Sequence, residues 1–162
     1  AEKKLSSEKI REIMETNFFG TLNCIMAVDN YYRERKNGHI SIVSSVAGYR
    51  GLPAASGYCA SKSALISLAE SLYFDFKRHN VRVSLVSPGF IKTPMTDKNK
   101  FPMPMIKSPE FAAEKMFIGL TKKNAFEIHF PIGFTMIMKL LKIMPNWLYF
   151  LLVKKGMKTI KY

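Results

Sequence analysis

The chain has 162 residues, 48% hydrophobic and 23% charged, a balance that suits one globular domain and excludes a disordered or collagen-like chain. Its formal charge of +13 leaves nucleic-acid binding, an anionic membrane surface or a merely basic soluble enzyme in competition, and since no Arg-rich tract or nucleic-acid motif accompanies it, nucleic acid is set aside. Cys24 and Cys59 are too few for a disulfide framework and fit reduced thiols in a cytoplasmic protein.

Ser6 or Ser7 is a good helix cap, and Ile10, Ile13, Met14, Phe18 and Leu22 recur at helical spacing, which predicts a helix over 7–36. Asn17 falls in its middle, where Asn is a mediocre helix former, and Asn37-Gly38 should end it at positive φ. Ile40-Ser41-Ile42-Val43-Ser44 reads as a buried parallel strand. Gly48, Gly51, Pro53 and Gly57 make the following stretch a loop, and a helix over 58–78 carries Ala60, Ala64, Leu65, Leu68, Leu72 and Phe76. Val81 to Val86 is the next strand, stopped at Pro88-Gly89. Residues 96–106 have no sustained period and read as a loop or a flap over a substrate. Ser108-Pro109-Glu110 starts a helix to about Thr121, and 126–130 is the last strand. His39, His79 and His129 lack the spacing of metal ligands and are read as structural; no metal site is expected.

On a helix, Tyr58 and Lys62 project from one face a turn apart, which sets an ammonium beside a phenol. A nearby cation favours the phenolate and brings a group with an ordinary pKa of about 10 towards the working pH of an acid–base catalyst. Ser45 follows the end of an apolar strand, where its hydroxyl could hold a substrate oxygen, and Pro88-Gly89 follows another strand end on the same edge.

Ser44-Ser45-Val46-Ala47-Gly48, Tyr58-Cys59-Ala60-Ser61-Lys62 and Pro88-Gly89-Phe90-Ile91-Lys92-Thr93, in this order between apolar strands, resemble the short-chain dehydrogenase/reductase family over about residues 5–128. The resemblance implies an α/β fold of Rossmann type, a doubly wound parallel sheet of which this chain carries the last three strands and their helices. It implies Asn17, Ser45, Tyr58 and Lys62 as catalytic residues, Asn17 at a kink whose freed carbonyl holds a relay water, and Lys62 lowering the Tyr58 pKa. Tyr58, Lys62, Pro88, Gly89, Ile91 and Thr93 would hold NAD or NADP, with Ser45 and Tyr58 on the carbonyl or alcohol of a small-molecule substrate. Helices 7–36 and 58–78 would form a homodimer or homotetramer interface. The family's glycine-rich nucleotide turn has no counterpart here, so the expectation is the C-terminal part of a longer enzyme, inactive in isolation. A non-catalytic Rossmann-like binding protein and an extended-type epimerase or dehydratase are the alternatives.

Residues 1–129 thus read as the catalytic part and 130–162 as a basic, apolar helical tail. Thr135, Lys139, Lys142 and Asn146 form a narrow polar stripe, with Phe134, Met136, Ile137, Met138, Leu140, Leu141 and Ile143 around the rest. Pro145 should interrupt this helix, and two lysines and a proline argue against a spanning segment. The apolar run 147–153 and Lys154, Lys155, Lys158 and Lys161, without one acid, suit a helix on an anionic membrane surface with Trp147 and Tyr149 at the headgroups, and hence a lipophilic substrate. Packing on the body of the protein or on another subunit is the competing expectation.

Overall fold

The computed structural model describes residues 5–99, 101–122 and 124–159; the side chains of Lys98 and of 157–159, and all of Lys161, lie outside the described residues. Ser6 caps α1 (Ser7–Met14) by accepting from the Lys9 amide at 3.3 Å. A single π-helical turn at Glu15–Phe19, closed by the Gly20 amide on the Glu15 carbonyl, leads into α2 (Gly20–Arg35). The helix ends one residue earlier than its sequence suggests. Lys36, not the Asn37-Gly38 pair, takes the left-handed conformation at φ 51°, and its carbonyl accepts from Asn80 Nδ2 at 3.0 Å. Gly38 serves close approach instead: a Cβ there would lie 2.7 Å from the Tyr32 ring.

Three strands follow, β1 (Gly38–Val43), β2 (Val81–Pro88) and β3 (Glu127–Phe130), all parallel in the order β1-β2-β3. The register sets Val43 beside Val86 and Pro88 beside Phe130, so the strands finish along one edge. Between β1 and β2 runs α3 (Ser56–Lys77), and α4 (Pro109–Phe117), capped by Ser108, precedes a second π turn at Ile118–Lys122. Beyond β3 come α5 (Ile132–Ile143) and α6 (Asn146–Thr159), separated at Pro145, as a ring without an amide donor requires.

Alternation along the strands divides the core in two. Ile40, Ile42, Val83 and Leu85 pack with Ile25 of α2, Leu65, Ala69 and Phe76 of α3 and Met138 of α5. Val86, Ile128 and Phe130 turn to the opposite face, where Phe111 and Met116 of α4 cover them. Helices on both faces of a parallel sheet are the doubly wound arrangement. The expectation of a strand buried on both sides holds for β2 but not for β1, where Ser41 and Val43 are exposed while Ile40 and Ile42 are buried. Only one face of β1 has a helix over it among the described residues.

Candidate active site

The residues after β1 are fastened by one hydrogen bond to β2 and two to α3. The Ser44 amide continues the ladder to the Val86 carbonyl at 2.8 Å, and the Ser44 hydroxyl donates to the Lys62 carbonyl at 2.7 Å. Ser63 Oγ donates to the Gly48 carbonyl at 2.9 Å. Gly48 itself lies so close to α3 that a Cβ would sit 2.7 Å from the Lys62 carbonyl oxygen. Ser45 therefore has little freedom: its hydroxyl accepts from the Ala47 amide at 3.2 Å and donates to the Pro88 carbonyl at 3.3 Å. Ser44 and Gly48 are the residues that motif reading passes over. Their signal was there, in a doubled serine and a glycine three residues after Ser45.

Tyr58 occupies the first turn of α3 and is 36% exposed, with one flank open to solvent. Burial of the rest pushes its phenol above the ordinary value, and the neighbouring Ser45 hydroxyl opposes that shift. Lys62 is tied to the strand end, its Nζ donating to the Val43 carbonyl at 3.1 Å and standing 5.8 Å from the centroid of the Tyr58 ring. Desolvation pulls the Lys62 ammonium below its usual value. The direction differs from the expected phenol lowered by lysine: burial is the largest influence on Tyr58, with Ser45 opposing it.

Asn17 lies in the π turn, where a kink was expected. Its side chain donates to Ser61 Oγ at 3.0 Å, and Ser61, fully buried, donates in turn to the Tyr58 carbonyl at 2.8 Å. The Asn17 carbonyl is not left open, because Thr21 Oγ1 donates to it at 2.8 Å. Ile10 and Ile13 of α1 seat this segment on α3 through Gly57, where an added Cβ would approach both at 3.2 Å.

The turn after β2 completes the edge. The Gly89 amide donates to the Phe130 carbonyl at 2.7 Å, and a Cβ on Gly89 would lie 2.8 Å from Phe134, so glycine lets the first turn of α5 close on the site. Ile91 and Thr93 are drawn into a local turn: Thr96 Oγ1 donates to the Ile91 carbonyl at 2.7 Å and accepts from the Thr93 amide at 2.8 Å. Thr93 is brought to this edge but already partnered. Ser45, Tyr58, Lys62 and Pro88 converge beyond the carboxyl ends of β1 and β2, and Asn17 reaches them through Ser61. No cluster of side chains able to hold a metal occurs among the described residues.

A second polar cluster lies between the sheet and α5. The Tyr49 hydroxyl and Lys139 Nζ both donate to the Glu127 carboxylate, each at 2.5 Å, and His129 Nδ1 meets Thr135 Oγ1 at 2.7 Å. Burial alone would raise Glu127, but the hydrogen bonds from Lys139 and Tyr49, with the Lys139 charge, hold its carboxyl below the usual range. The Tyr49 phenol is pushed far up by burial and by the same carboxylate.

A parallel sheet wound with helices on both faces, carrying a polar constellation past its carboxyl edge, is the Rossmann type of ligand-binding domain. The chain belongs to the short chain dehydrogenase family, which it matches over residues 1–102. It is 39% identical over 147 residues to an uncharacterized oxidoreductase of Myxococcus xanthus, covering 91% of this chain and 58% of that protein. Identity to the 3-oxoacyl-acyl-carrier-protein reductase of Thermotoga maritima is 31% over 133 residues, 76% of this chain and 54% of the relative. A short chain dehydrogenase of Burkholderia cenocepacia, solved in complex with NADP, superposes with a TM-score of 0.74 at 29% identity, covering 85% of this chain and 57% of its own. The chain therefore spans little more than half the length of these relatives.

Proposed function

We propose that this chain is the catalytic part of an NAD(P)-dependent oxidoreductase that interconverts a carbonyl and an alcohol. The observation that carries the reading is the convergence of Ser45, Tyr58 and Lys62 at the carboxyl edge, with Asn17 tied to the Tyr58 backbone through Ser61. Tyr58, its phenol kept protonated by burial, donates a proton to the oxygen of the reduced carbonyl. Ser45 hydrogen-bonds the same oxygen: the Ala47 amide holds its Oγ in place, and the single hydroxyl proton that now meets the Pro88 carbonyl at 3.3 Å turns to the substrate. Oxidation of an alcohol runs the same transfers in reverse.

The residues fit a nicotinamide cofactor. One of the three Lys62 ammonium hydrogens is committed to Val43, which leaves two for ribose hydroxyls beside Tyr58. Pro88, Gly89, Ile91 and Thr93 form the adjoining wall, as the family relationship suggests. A bound nicotinamide would supply or accept the hydride. Substrate is read as a lipophilic carbonyl or alcohol. Phe90, with its ring 5.5 Å from Phe134 and 6.0 Å from Phe101, lines the approach with apolar surface, and the Thermotoga relative is named for a 3-oxoacyl group.

The exposed Phe19 and Met26 of the first helical segment and Phe74 of α3 support a homo-oligomer through these helices. The basic, apolar tail supports a peripheral position on an anionic membrane.

The test is Tyr58→Phe in the full-length enzyme. It keeps the ring and removes the transferable proton, so turnover should drop by roughly 10²–10⁴-fold. Turnover close to that of the wild type, with chemistry rate-limiting, would refute the assignment.

A further inference from the structure

The amphipathic stripe of α5 faces opposite to the direction its polarity suggests. Thr135 is buried against His129, Lys139 is paired with Glu127, and Asn146 Oδ1 accepts from Arg50. Arg50 also donates to the carbonyls of Leu141, Lys142 and Met144, stacks 4.1 Å from the centroid of the Tyr149 ring, and so closes the end of α5. Tyr149, buried, donates to the Gly51 carbonyl. The polar residues therefore bind the helix pair to the body alongside Met138 and Phe134, and most of the remaining large apolar residues point away from it. Ile143 is 78% exposed, Trp147 70% and Ile132 68%, with Leu140, Phe150 and Leu151 also exposed.

This surface continues to the candidate site. The Met105 methyl lies 3.1 Å from the Cβ position of Gly133, and Met105 and Ile106 are themselves exposed. Phe134, one residue on, packs directly over Gly89. An apolar surface of this extent on a protein body marks an interaction site.

We propose that the outward faces of α5 and α6, with Met105 and Ile106, form one docking surface for an anionic lipid bilayer and set the mouth of the Ser45–Tyr58 site at that bilayer. The proposal deepens the peripheral reading of the tail, and its second half rests on the proposed enzyme. Charge selects the occupant. Residues 131–162 contain no acid; Lys139 is paired with Glu127, and five further lysines leave the segment basic, with Lys154 and Lys155 exposed among the described residues. Two copies meeting through this face would bring like charges together, whereas anionic headgroups complement it. No helix among the described residues is long and apolar enough to cross a membrane, so the pair lies along the surface, with Trp147, the single tryptophan, at its margin.

The experiment uses full-length enzyme with phosphatidylcholine vesicles, with and without phosphatidylserine. Sedimentation should require phosphatidylserine and weaken as salt rises, and Trp147 emission should shift to the blue on binding. Leu140→Ser with Ile143→Ser, both at exposed positions, should lower the partition constant by more than about tenfold, and Lys154→Glu by about fivefold or more. Vesicle binding of the Leu140→Ser/Ile143→Ser protein equal to that of the wild type would overturn the proposal. So would absence of a vesicle-dependent Trp147 shift, or loss of self-association in those variants with no lipid binding in the parent. Tyr58→Phe should bind vesicles like the wild type, so failure of the catalytic reading and failure of the docking surface give different results.

Discussion

Replacing Gly48 by alanine tests how the site is built, because the effect follows from a short backbone contact. No described glycine has positive φ, so the backbone conformation at Gly48 accepts alanine and only space opposes it. The new Cβ would lie 2.7 Å from the Lys62 carbonyl oxygen and 2.8 Å from Ile66 Cδ1. The isoleucine methyl can swing aside. The carbonyl is part of α3 and already accepts the Ser44 hydroxyl, so it moves only if the helix or the loop moves. Carbon–oxygen contacts relax near roughly 3.3 Å, which asks for a shift of about 0.6 Å between Ser45 and the turn bearing Lys62. Overpacking of this kind costs about 1–3 kcal/mol, or a fall of about 2–12 °C in Tm for a domain of ordinary enzyme size. Since a misplacement of about 1 Å can cost about 10²-fold in rate, turnover should fall by about 10- to 100-fold. The assay is thermal unfolding and carbonyl reduction by full-length enzyme, with Gly51→Ala as control, because a Cβ at Gly51 meets nothing within 4 Å. If Gly48→Ala matches Gly51→Ala in both measurements, the loop and α3 are not locked together as described.

Two further outcomes follow from the titrating groups. Burial places the Tyr58 phenol above 10.0, so kcat/KM for reduction should stay flat through neutral pH and fall only in the alkaline range, while oxidation, which needs the phenolate, rises there. A reduction profile already falling between about pH 6 and 8 would contradict a buried neutral phenol. For stability, the folded-state pKa of Glu127 is held below its usual 4.5, so its contribution is full above that value and is lost as pH falls through the lower folded value. Glu127→Gln should lose about 1–2 kcal/mol at pH 7, discounted for the partial exposure of the pair, and show a flatter acid limb in urea denaturation than the wild type. Identical acid limbs would remove the Glu127–Lys139 pair from the account.

Strands and helices between Ser7 and Phe130 were legible because their signals are local: apolar runs rich in β-branched residues, serine caps, and glycine or proline at the breaks. The positions of Ser45, Tyr58 and Lys62 were legible too, since strand ends of a parallel sheet share one edge. What the sequence concealed were partners distant along the chain. Nothing near Asn17 announces Ser61 as the group its amide reaches, and nothing near Lys36 announces the Asn80 side chain that caps it. What burial does to Tyr58 was illegible for the same reason. Spacing on a helix gives the proximity of Lys62, but not the depth of burial or the Val43 carbonyl that draws the ammonium to the strand end.

The tail shows the same limit in its strongest form, and explains how a sequence with a narrow polar stripe can turn it inward. An amphipathic pattern fixes which residues share a helix face, and leaves open which face meets the protein. Here the body supplies the deciding groups. Glu127 is an acid at the margin of the sheet that needs a cation once partly buried, and Lys139 supplies it from one turn of α5. His129, two residues further along the same strand face, meets Thr135, and Arg50 gathers the carbonyls that end the helix. Reversing the helix would strand Glu127 without its cation and leave those carbonyls to solvent. Keeping it leaves Leu140, Ile143 and Trp147 exposed. Orientation on the body and the exposed apolar face proposed to dock on a bilayer are thus two consequences of one set of hydrogen bonds. Because Arg50 and Tyr149 also hold the loop that joins Ser45 to Tyr58, the exposed face of the helix pair and the candidate site are fixed to each other through side chains rather than through a hinge.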